Sequence, residues 1–305
     1  MRVIITGATS MIGVALIEQC LHRSHEVLAL VRKGTRRMAR LPVSDRLRVE
    51  FADLDALSGV QGDGSPYDVC FHLAWGSTEK AVRDDPVAQE KNIRATLDAV
   101  QMAHRLGCKT FIGAGSQAEY GPVAGIISED TPANPQSAYG MAKLSACLLS
   151  GKLCRQYGMR HIWGRIFSVY GCNDNEGTML NYAVDQFLKG EPAKFSPATQ
   201  MWNYLYETDA GAMFCLLGEK PVPSGIYCIA NPESAVLRTY IETLRDVFGR
   251  DAQCEFAPPG CGEKPAGLNV DMKKTVEAIG YTPRVSFREG IGNVIRSRSE
   301  KRGIL

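Results

Sequence analysis

"RVIITGATSMIGVALIEQCLHR", residues 2–23, decides the architecture of this chain. Its opening, "RVIIT" at 2–6, is a continuous apolar run without polar alternation, which marks a strand covered on both faces. From Met11 onward the apolar residues fall at helical spacing. Gly7 and Gly13 stand around the turn between the two. The same rhythm continues downstream. "EVLALV" (26–31), "LRVEFAD" (47–53), "YDVCFHLAW" (67–75), "KTFIGAGS" (109–116) and "RHIWGRIFSVYG" (160–171) read as strands. "NIRATLDAVQMAHRLG" (92–107), ending at Gly107, and "SAYGMAKLSACLLSGKLCRQYG" (137–158) read as helices. Alternating strands and helices with uniformly apolar strands predict an α/β fold, a Rossmann-type doubly wound parallel sheet.

After residue 171 the rhythm changes. Loops with Gly, Asn and Pro enclose a helix at 179–190. A short strand and a helix follow from Trp202, then a strand at 225–230 and helices at 237–249 and at the C-terminal end. The expected division is a large domain, 1–170, to which 203–231 returns. A smaller discontinuous lobe, 171–202 and 232–305, is expected to cover the carboxyl ends of the sheet, where open α/β sheets bind ligands.

The chain has 305 residues, 45% hydrophobic and 22% charged, with a formal net charge of +2. That balance supplies no field for nucleic acid or an anionic membrane surface. No apolar run approaches the roughly 20 residues of a membrane helix, and the first residues read as a buried strand rather than a signal peptide. The 10 cysteines are scattered without a C-x-x-C pair. They are expected to be buried, reduced thiols of a cytoplasmic protein, and no metal site is expected.

Gly7 and Gly13 would let the backbone approach a pyrophosphate, with the helix N-terminus offering free N–H groups and the positive end of its dipole. A plain tight turn is the alternative. The middle glycine of a G-x-x-G-x-x-G run is replaced by Ser10. After the second strand, "LVRKGTRR" holds Arg32, Lys33, Arg36 and Arg37 and no acid. Enzymes selecting NAD place a carboxylate there for the ribose 2′-OH, whereas guanidinium groups can hold a 2′-phosphate. NADP(H) is therefore favoured over NAD(H), a solvated basic loop being the other reading. Asp53 could accept from an adenine amino group or cap the segment 54–58.

Tyr139 and Lys143, four apart in "SAYGMAKLSA" (137–146), share one helix face. Ala138, Gly140, Ala142, Ser145 and Ala146 keep their surroundings small. A phenol titrates near 10 when unperturbed and must be lowered to exchange protons near neutrality, which an ammonium would do. Ser116, at the carboxyl end of the fifth strand, would point its hydroxyl into the same crevice. A packed tyrosine beside a solvated lysine is the competing reading.

Several segments in order resemble the extended short-chain dehydrogenase/reductase superfamily, in its nucleotide-sugar epimerase/dehydratase/reductase branch. "TGATSMIG" is similar to the cofactor turn, which by resemblance brings in Thr9, Ser10, Met11 and Ile12. "FHLAW" resembles the segment beside the cofactor, with Leu73, Ala74 and Trp75, and "KNIRATLDAV" the helix bearing Asn92. "GAGSQAEYG" resembles the stretch with the catalytic serine, and "YGMAK" the Tyr-x-x-x-Lys signature. "GRIFSVYG", with Ile166, is similar to the strand whose exit lines nicotinamide and sugar. "WNYLYETDAG" resembles an Arg-Asp-Phe stretch, with Trp202 and Asn203 in place of Arg-Asp, and "GYTPRVSFREGI" the C-terminal Gly-aromatic-x-Pro motif. Asp53 and Leu54 join the implied cofactor contacts. The resemblance makes Tyr139 the acid/base, Lys143 the group that lowers its pKa and binds the nicotinamide ribose, and Ser116 the group that orients the substrate oxygen. Hydride would pass between the nicotinamide and a sugar carbon.

Within that branch, 4,6-dehydratases carry Thr-Asp-Glu where this chain has Ser116-Gln117-Ala118, so elimination lacks its acid/base pair. Fucose-synthase-like epimerase/reductases carry a cysteine at the position of Ala118. Two readings remain: an NADPH-dependent reductase of a 4-keto nucleotide sugar, and an NAD-dependent 4-epimerase. An NADP-binding regulatory protein without turnover belongs to a third class. Gln117, Asn173, Asn175, Thr178, Asn181, Trp202, Arg238 and Lys273 are the substrate-side candidates, though loop polarity and core packing account for the same residues. His72 is expected to be packed rather than catalytic. The family dimerises through helices equivalent to 92–107 and 137–157, so a homodimer is expected. Ala99, Met102, Ala103, Leu148 and Leu149 would supply its apolar surface unless they face the chain's own sheet.

Overall fold

The computed structural model describes residues 1–249, 251–261 and 267–303. Seven parallel strands form its centre: β1 (Arg2–Thr6), β2 (Glu26–Val31), β3 (Leu47–Phe51), β4 (Val69–His72), β5 (Thr110–Ser116), β6 (Arg160–Ile166) and β7 (Gly225–Ile229). They lie in the order β7-β6-β5-β4-β1-β2-β3. The chain winds outward from β1 to β3 and then restarts at β4 on the other side of β1. A crevice opens at that reversal, outside the carboxyl ends of β1 and β4.

Both faces of β1, β2, β4 and β5 are buried, which is why those strands show no polar alternation, whereas the edge strand β3, Leu-Arg-Val-Glu-Phe, alternates and is only partly covered. Val3, Ile5, Val27, Ala29 and Phe71 pack with Leu16 and Ile17 of helix α1 (Met11–His22). They also pack with Met213 and Phe214 of helix α5 (Glu207–Glu219). Ile4, Leu28, Leu30, Cys70 and Phe111 point the other way, onto Val100 and its neighbours in helix α2 (Pro86–Arg105). Helix α3 (Ala138–Gln156) lies beside α2. Ala99, Met102 and Ala103 belong to this second core, so they face the chain's own sheet rather than offering a surface to a partner. Leu148, Leu149 and Met141 of α3 do point outward.

A further core gathers Leu180, Val184 and Phe187 of α4 (Met179–Leu188) with Ile241 and Leu244 of α6 (Leu237–Phe248). Ile291 and Val294 of α8 (Phe287–Lys301) complete it. Tyr170, Tyr204, Tyr240 and Phe287 meet through its middle, mostly edge to face, with Tyr204 stacked on Phe287. The short helix α7 (Lys273–Ile279) packs on α5 and β7.

Several boundaries differ from those expected. Helix α2 starts at Pro86, not 92, because Asp85 accepts from the N–H groups of Val87 and Ala88 at 2.9 and 3.3 Å and Pro86 suits a first helical position. Strand β3 stops at Phe51 and β4 covers only 69–72. The strand expected over 160–171 breaks at Phe167, whose N–H donates to Ile229 O at 3.1 Å. Residues 168–170 then leave the sheet and pair with 204–206. All 10 cysteines are free thiols, but the expected burial holds for seven of them only, since Cys172 and Cys254 are half-buried and Cys261 is exposed. Among the described residues no helix is long and apolar enough to cross a membrane.

Candidate active site

The turn after β1 is closed too tightly for any side chain. Gly7 has φ +69°, and a Cβ on it would lie 2.7 Å from Ala74 N. A Cβ on Gly13 would lie 2.3 Å from Gly7 O. Ser10 needs no glycine conformation, with φ −73°, and serves as the N-cap of α1, its hydroxyl accepting from Gly13 N at 3.1 Å. Thr9, Met11 and Ile12 are half-buried around it, and the first N–H groups of α1 remain free of helical partners. The replacement of a central glycine thus becomes a helix cap.

The facing wall is the exit of β4. Leu73 N donates to Thr6 O at 3.3 Å and Ala74 N to Thr6 Oγ1 at 3.2 Å. Asn92 grips Gly76 from both sides, accepting from its N–H at 2.7 Å and donating to its carbonyl at 3.1 Å. Trp75 Nε1 donates to Gln89 Oε1 at 2.9 Å, and Gln89 donates on to Ser77 O at 2.8 Å. Asn92 therefore shapes the wall through its backbone. His72 hydrogen-bonds Thr6 Oγ1 at 2.9 Å and is buried, which with nearby Lys143 drives its pKa down to about 3. It is a packed, neutral imidazole.

Arg32 and Lys33 are exposed at the end of β2. Two other cations of this basic turn bind the loop after residue 171: Arg37 donates to Asn175 Oδ1 at 3.2 Å and Arg40 to Asn173 O at 3.1 Å. Lys33, Phe51, Ala52 and Asp53 line a small cleft. Asp53 Oδ1 is buried there without a partner. The following 3₁₀ turn, Leu57–Gly59, has no side-chain cap, so Asp53 does not cap it. Leu54 packs half-buried on the core below. A glycine cradle with free N–H groups and an orphaned acceptor at the ends of β2 and β3 fit a dinucleotide.

Ser116 ends β5, in register with Ile166 of β6. It is buried, its hydroxyl accepting from Ala118 N at 3.2 Å and its own N–H donating to Glu119 Oε1 at 2.8 Å. Glu119 is a hub. Oε1 also accepts from Trp163 Nε1 at 2.9 Å, and Oε2 accepts from Arg165 Nε at 2.8 Å. Gly113 and Gly115 leave the space Trp163 fills, since a Cβ on either would lie 2.2–2.3 Å from the indole.

Tyr139 is the second residue of α3, capped by Ser137, which accepts from Gly140 N at 3.1 Å. A Cβ on Gly140 would lie 2.4 Å from Ala118 O. The small residues around Tyr139 therefore let α3 dock on the turn carrying Ser116, and Ala142 and Ala146 continue that close packing. Lys143 is buried, with Nζ donating to Ala114 O at 2.6 Å and lying 3.6 Å from the centre of a Trp75 ring. Burial draws its pKa down to about 7, against the pull of Glu119. Burial likewise raises Tyr139, while Arg83 and the Ser116 hydroxyl act to lower it. Arg83 Cζ stands 4.1 Å from the Tyr139 ring centre, nearer than Lys143 Nζ at 5.8 Å. The lysine expected to acidify the phenol is thus turned mainly toward Trp75 and the β5 backbone.

The substrate-side candidates are less convergent. Gln117 is half-buried beside Ser116. Asn181 is buried and donates to Asn175 O at 2.8 Å, and Asn173 and Asn175 are held by the two arginines, so these asparagines shape a loop. Trp202 tilts against Tyr204, and its buried indole N–H has no acceptor. Arg238 is exposed, with its guanidinium 4.0 Å above the Phe256 ring. Lys273 is exposed at the start of α7.

Sequence reasoning missed Glu119, Arg165 and Arg83. Ser116-x-x-Glu119 is a capping-box pattern, and a charged Arg165 within an apolar strand demands a buried partner, so the first two left signals. Arg83 sits in a loop without periodicity and left none.

The description "NAD dependent epimerase/dehydratase family" matches residues 3–230. A curated relative, the uncharacterized UDP-glucose epimerase YtcB of Bacillus subtilis (strain 168), is 25% identical, with 97% of each chain covered. UDP-glucose 4-epimerase of Mycolicibacterium smegmatis is 24% identical, again with 97% of each chain covered. Among solved structures, UDP-glucuronic acid 4-epimerase from Bacillus cereus in complex with NAD superposes with TM-score 0.85 at 22% identity, covering 100% of this chain and 99% of its own. The likeness to that structure carries the fold, and the match over residues 3–230 carries the family: the chain belongs to the NAD dependent epimerase/dehydratase family.

Proposed function

We propose that this protein is an NADP(H)-dependent reductase of the 4-keto group of a nucleotide-linked hexose, with Tyr139 as proton donor. The observation that carries the reading is the single acid/base at the crevice. Tyr139 stands beside Ser116, while Glu119 is turned into the core and held by Ser116, Trp163 and Arg165, and Asp84 is held by the N–H of Ala138. Gln117 and Ala118 supply no acid. One proton donor suits addition or removal of hydrogen at one carbon. It does not suit elimination, which needs a second base. A nucleotide sugar is the substrate class named for the relatives.

Gly7, Gly13, Asp53 and the wall 73–75 would hold the dinucleotide, which would supply hydride chemistry when bound. The chain does the rest. Ser116 holds the carbonyl oxygen, and Tyr139 gives that oxygen a proton as the carbon becomes tetrahedral. Lys143, fixed by Ala114 O, presents its ammonium to the ribose side and returns charge to the site. Water exclusion by Trp75 and Ile166 strengthens each of these contacts. The exposed Arg32 and Lys33, with no carboxylate at the end of β2, support a 2′-phosphate.

A second reading, an NAD-dependent 4-epimerase, is favoured by the activities named for the relatives and by the NAD in the Bacillus cereus complex. Release and identification of any dinucleotide carried by the purified protein, together with initial rates in NADPH and NADH on nucleotide-linked 4-keto-6-deoxysugars, test the choice. A reductase turns over free NADPH faster than NADH. Tightly held NAD with no net oxidation of either reduced cofactor would reject the reductase in favour of the epimerase.

A further inference from the structure

We propose that Arg83 is a positioning residue for the proton donor: its guanidinium, held over the Tyr139 ring by the 76–85 loop, is the cation that favours the phenolate. This rests on the reading of Tyr139 as the acid/base. The geometry points to a built arrangement. Asp84 Oδ1 accepts from Ala138 N, the first residue of α3, at 2.7 Å, so the loop is tied to the helix one residue before Tyr139. Arg83 precedes Asp84 and is thereby laid on the ring, with Cζ 4.1 Å from its centre. The loop's other end is fixed by Asp85 on α2, and its beginning by Asn92 and Gln89 on Gly76 and Ser77.

The other groups facing the phenol do not take this role. Lys143, on the same helix, is 5.8 Å from the ring centre and is committed to Ala114 O and Trp75. Glu119, from the turn after β5, is negative but neutralised by Arg165. Ser116 contributes a neutral hydroxyl, and Trp75 approaches edge-on at 6.1 Å. A cation over an aromatic face is attracted by the ring, and more strongly once the ring carries a phenolate. Burial opposes ionisation of Tyr139, and Arg83 offsets it.

The test is the titration of Tyr139 in wild type, Arg83→Met and Arg83→Lys. Protein carrying ¹³C at tyrosine Cζ gives the titration by NMR, with the Tyr139 signal assigned by its loss in Tyr139→Phe. This needs no substrate, so it stands even if the proposed reaction fails. Arg83→Met should raise the Tyr139 pKa by about one unit, while Arg83→Lys should stay within a few tenths. Where turnover is measured, the alkaline limb of ketone reduction should move upward by the same amount in Arg83→Met. Two results would overturn the inference: an unmoved titration in Arg83→Met, or an equal shift in Arg83→Lys, which would make the role one of shape.

Discussion

Arg165 Nε donates to Glu119 Oε2 at 2.8 Å inside the sheet, where the two side chains are 2% and 0% exposed. The pair lies directly under Ser116 and ties the strand bearing Ser116 to its neighbour. Removing one member strands the other charge in a low-dielectric core. Glu119→Ala is expected to cost about 3–5 kcal/mol in denaturant unfolding. The double variant Glu119→Leu with Arg165→Met should recover much of that loss. A single substitution costing under about 1 kcal/mol would show that water reaches the pair.

The close approach of α1 to the first turn makes a second prediction. A methyl at Gly13 would collide with Gly7 O, which is backbone and has no rotamer to yield. Gly13→Ala should therefore destabilise by about 1–3 kcal/mol and weaken dinucleotide binding together, because the helix N-terminus must retreat. Unchanged dinucleotide affinity, read by fluorescence titration, would show that the turn does not hold the cofactor.

His72 gives a pH dependence with a defined sign. Its folded pKa lies near 3 against an ordinary value of 6.5. Between those values the unfolded chain binds a proton that the folded chain does not. The contribution of His72 therefore makes stability fall as pH drops from about 6.5 toward 3, by up to about 1.4 kcal/mol per pH unit. His72→Met should flatten that part of the unfolding curve while costing some stability at pH 7, because the Thr6 hydroxyl loses its imidazole partner and keeps only the N–H of Ala74. An acid limb as steep as that of wild type would assign it to other groups.

Tyr139→Phe keeps the ring under Arg83 and removes only the hydroxyl. Turnover should fall by roughly 10²–10⁴-fold with dinucleotide affinity unchanged. A loss shared equally between the two would mean that the phenol acts by shaping the crevice.

The sheet was readable from sequence because its inner strands are apolar on both faces and its first turn needs two glycines. Tyr139, Lys143 and Ser116 were readable from helical spacing and strand ends, and the structure brings them to one crevice. What escaped was what depends on distant partners. Glu119 is a polar residue whose three side-chain hydrogen bonds come from two strands, Ser116 of β5 and Trp163 and Arg165 of β6. Arg83 owes its position to Asp84 reaching the N-terminus of a helix some fifty residues on. The small residues near Tyr139 were visible, but their reason, the approach of Gly140 to Ala118 O, needed the docked helix. Ala99, Met102 and Ala103 share one helix stripe, and only the packed sheet showed that it points inward.

The most direct test of the central claim is isotope transfer. A nucleotide-linked 4-keto-6-deoxysugar, generated by a 4,6-dehydratase, would be incubated with NADPH deuterated at the transferable position, and the product analysed by mass spectrometry and NMR. The account predicts one deuterium per sugar, at C4, formed in step with NADPH consumption and absent with Tyr139→Phe. Unchanged ketosugar and unconsumed NADPH, alongside inversion at C4 of an intact nucleotide sugar, would contradict it.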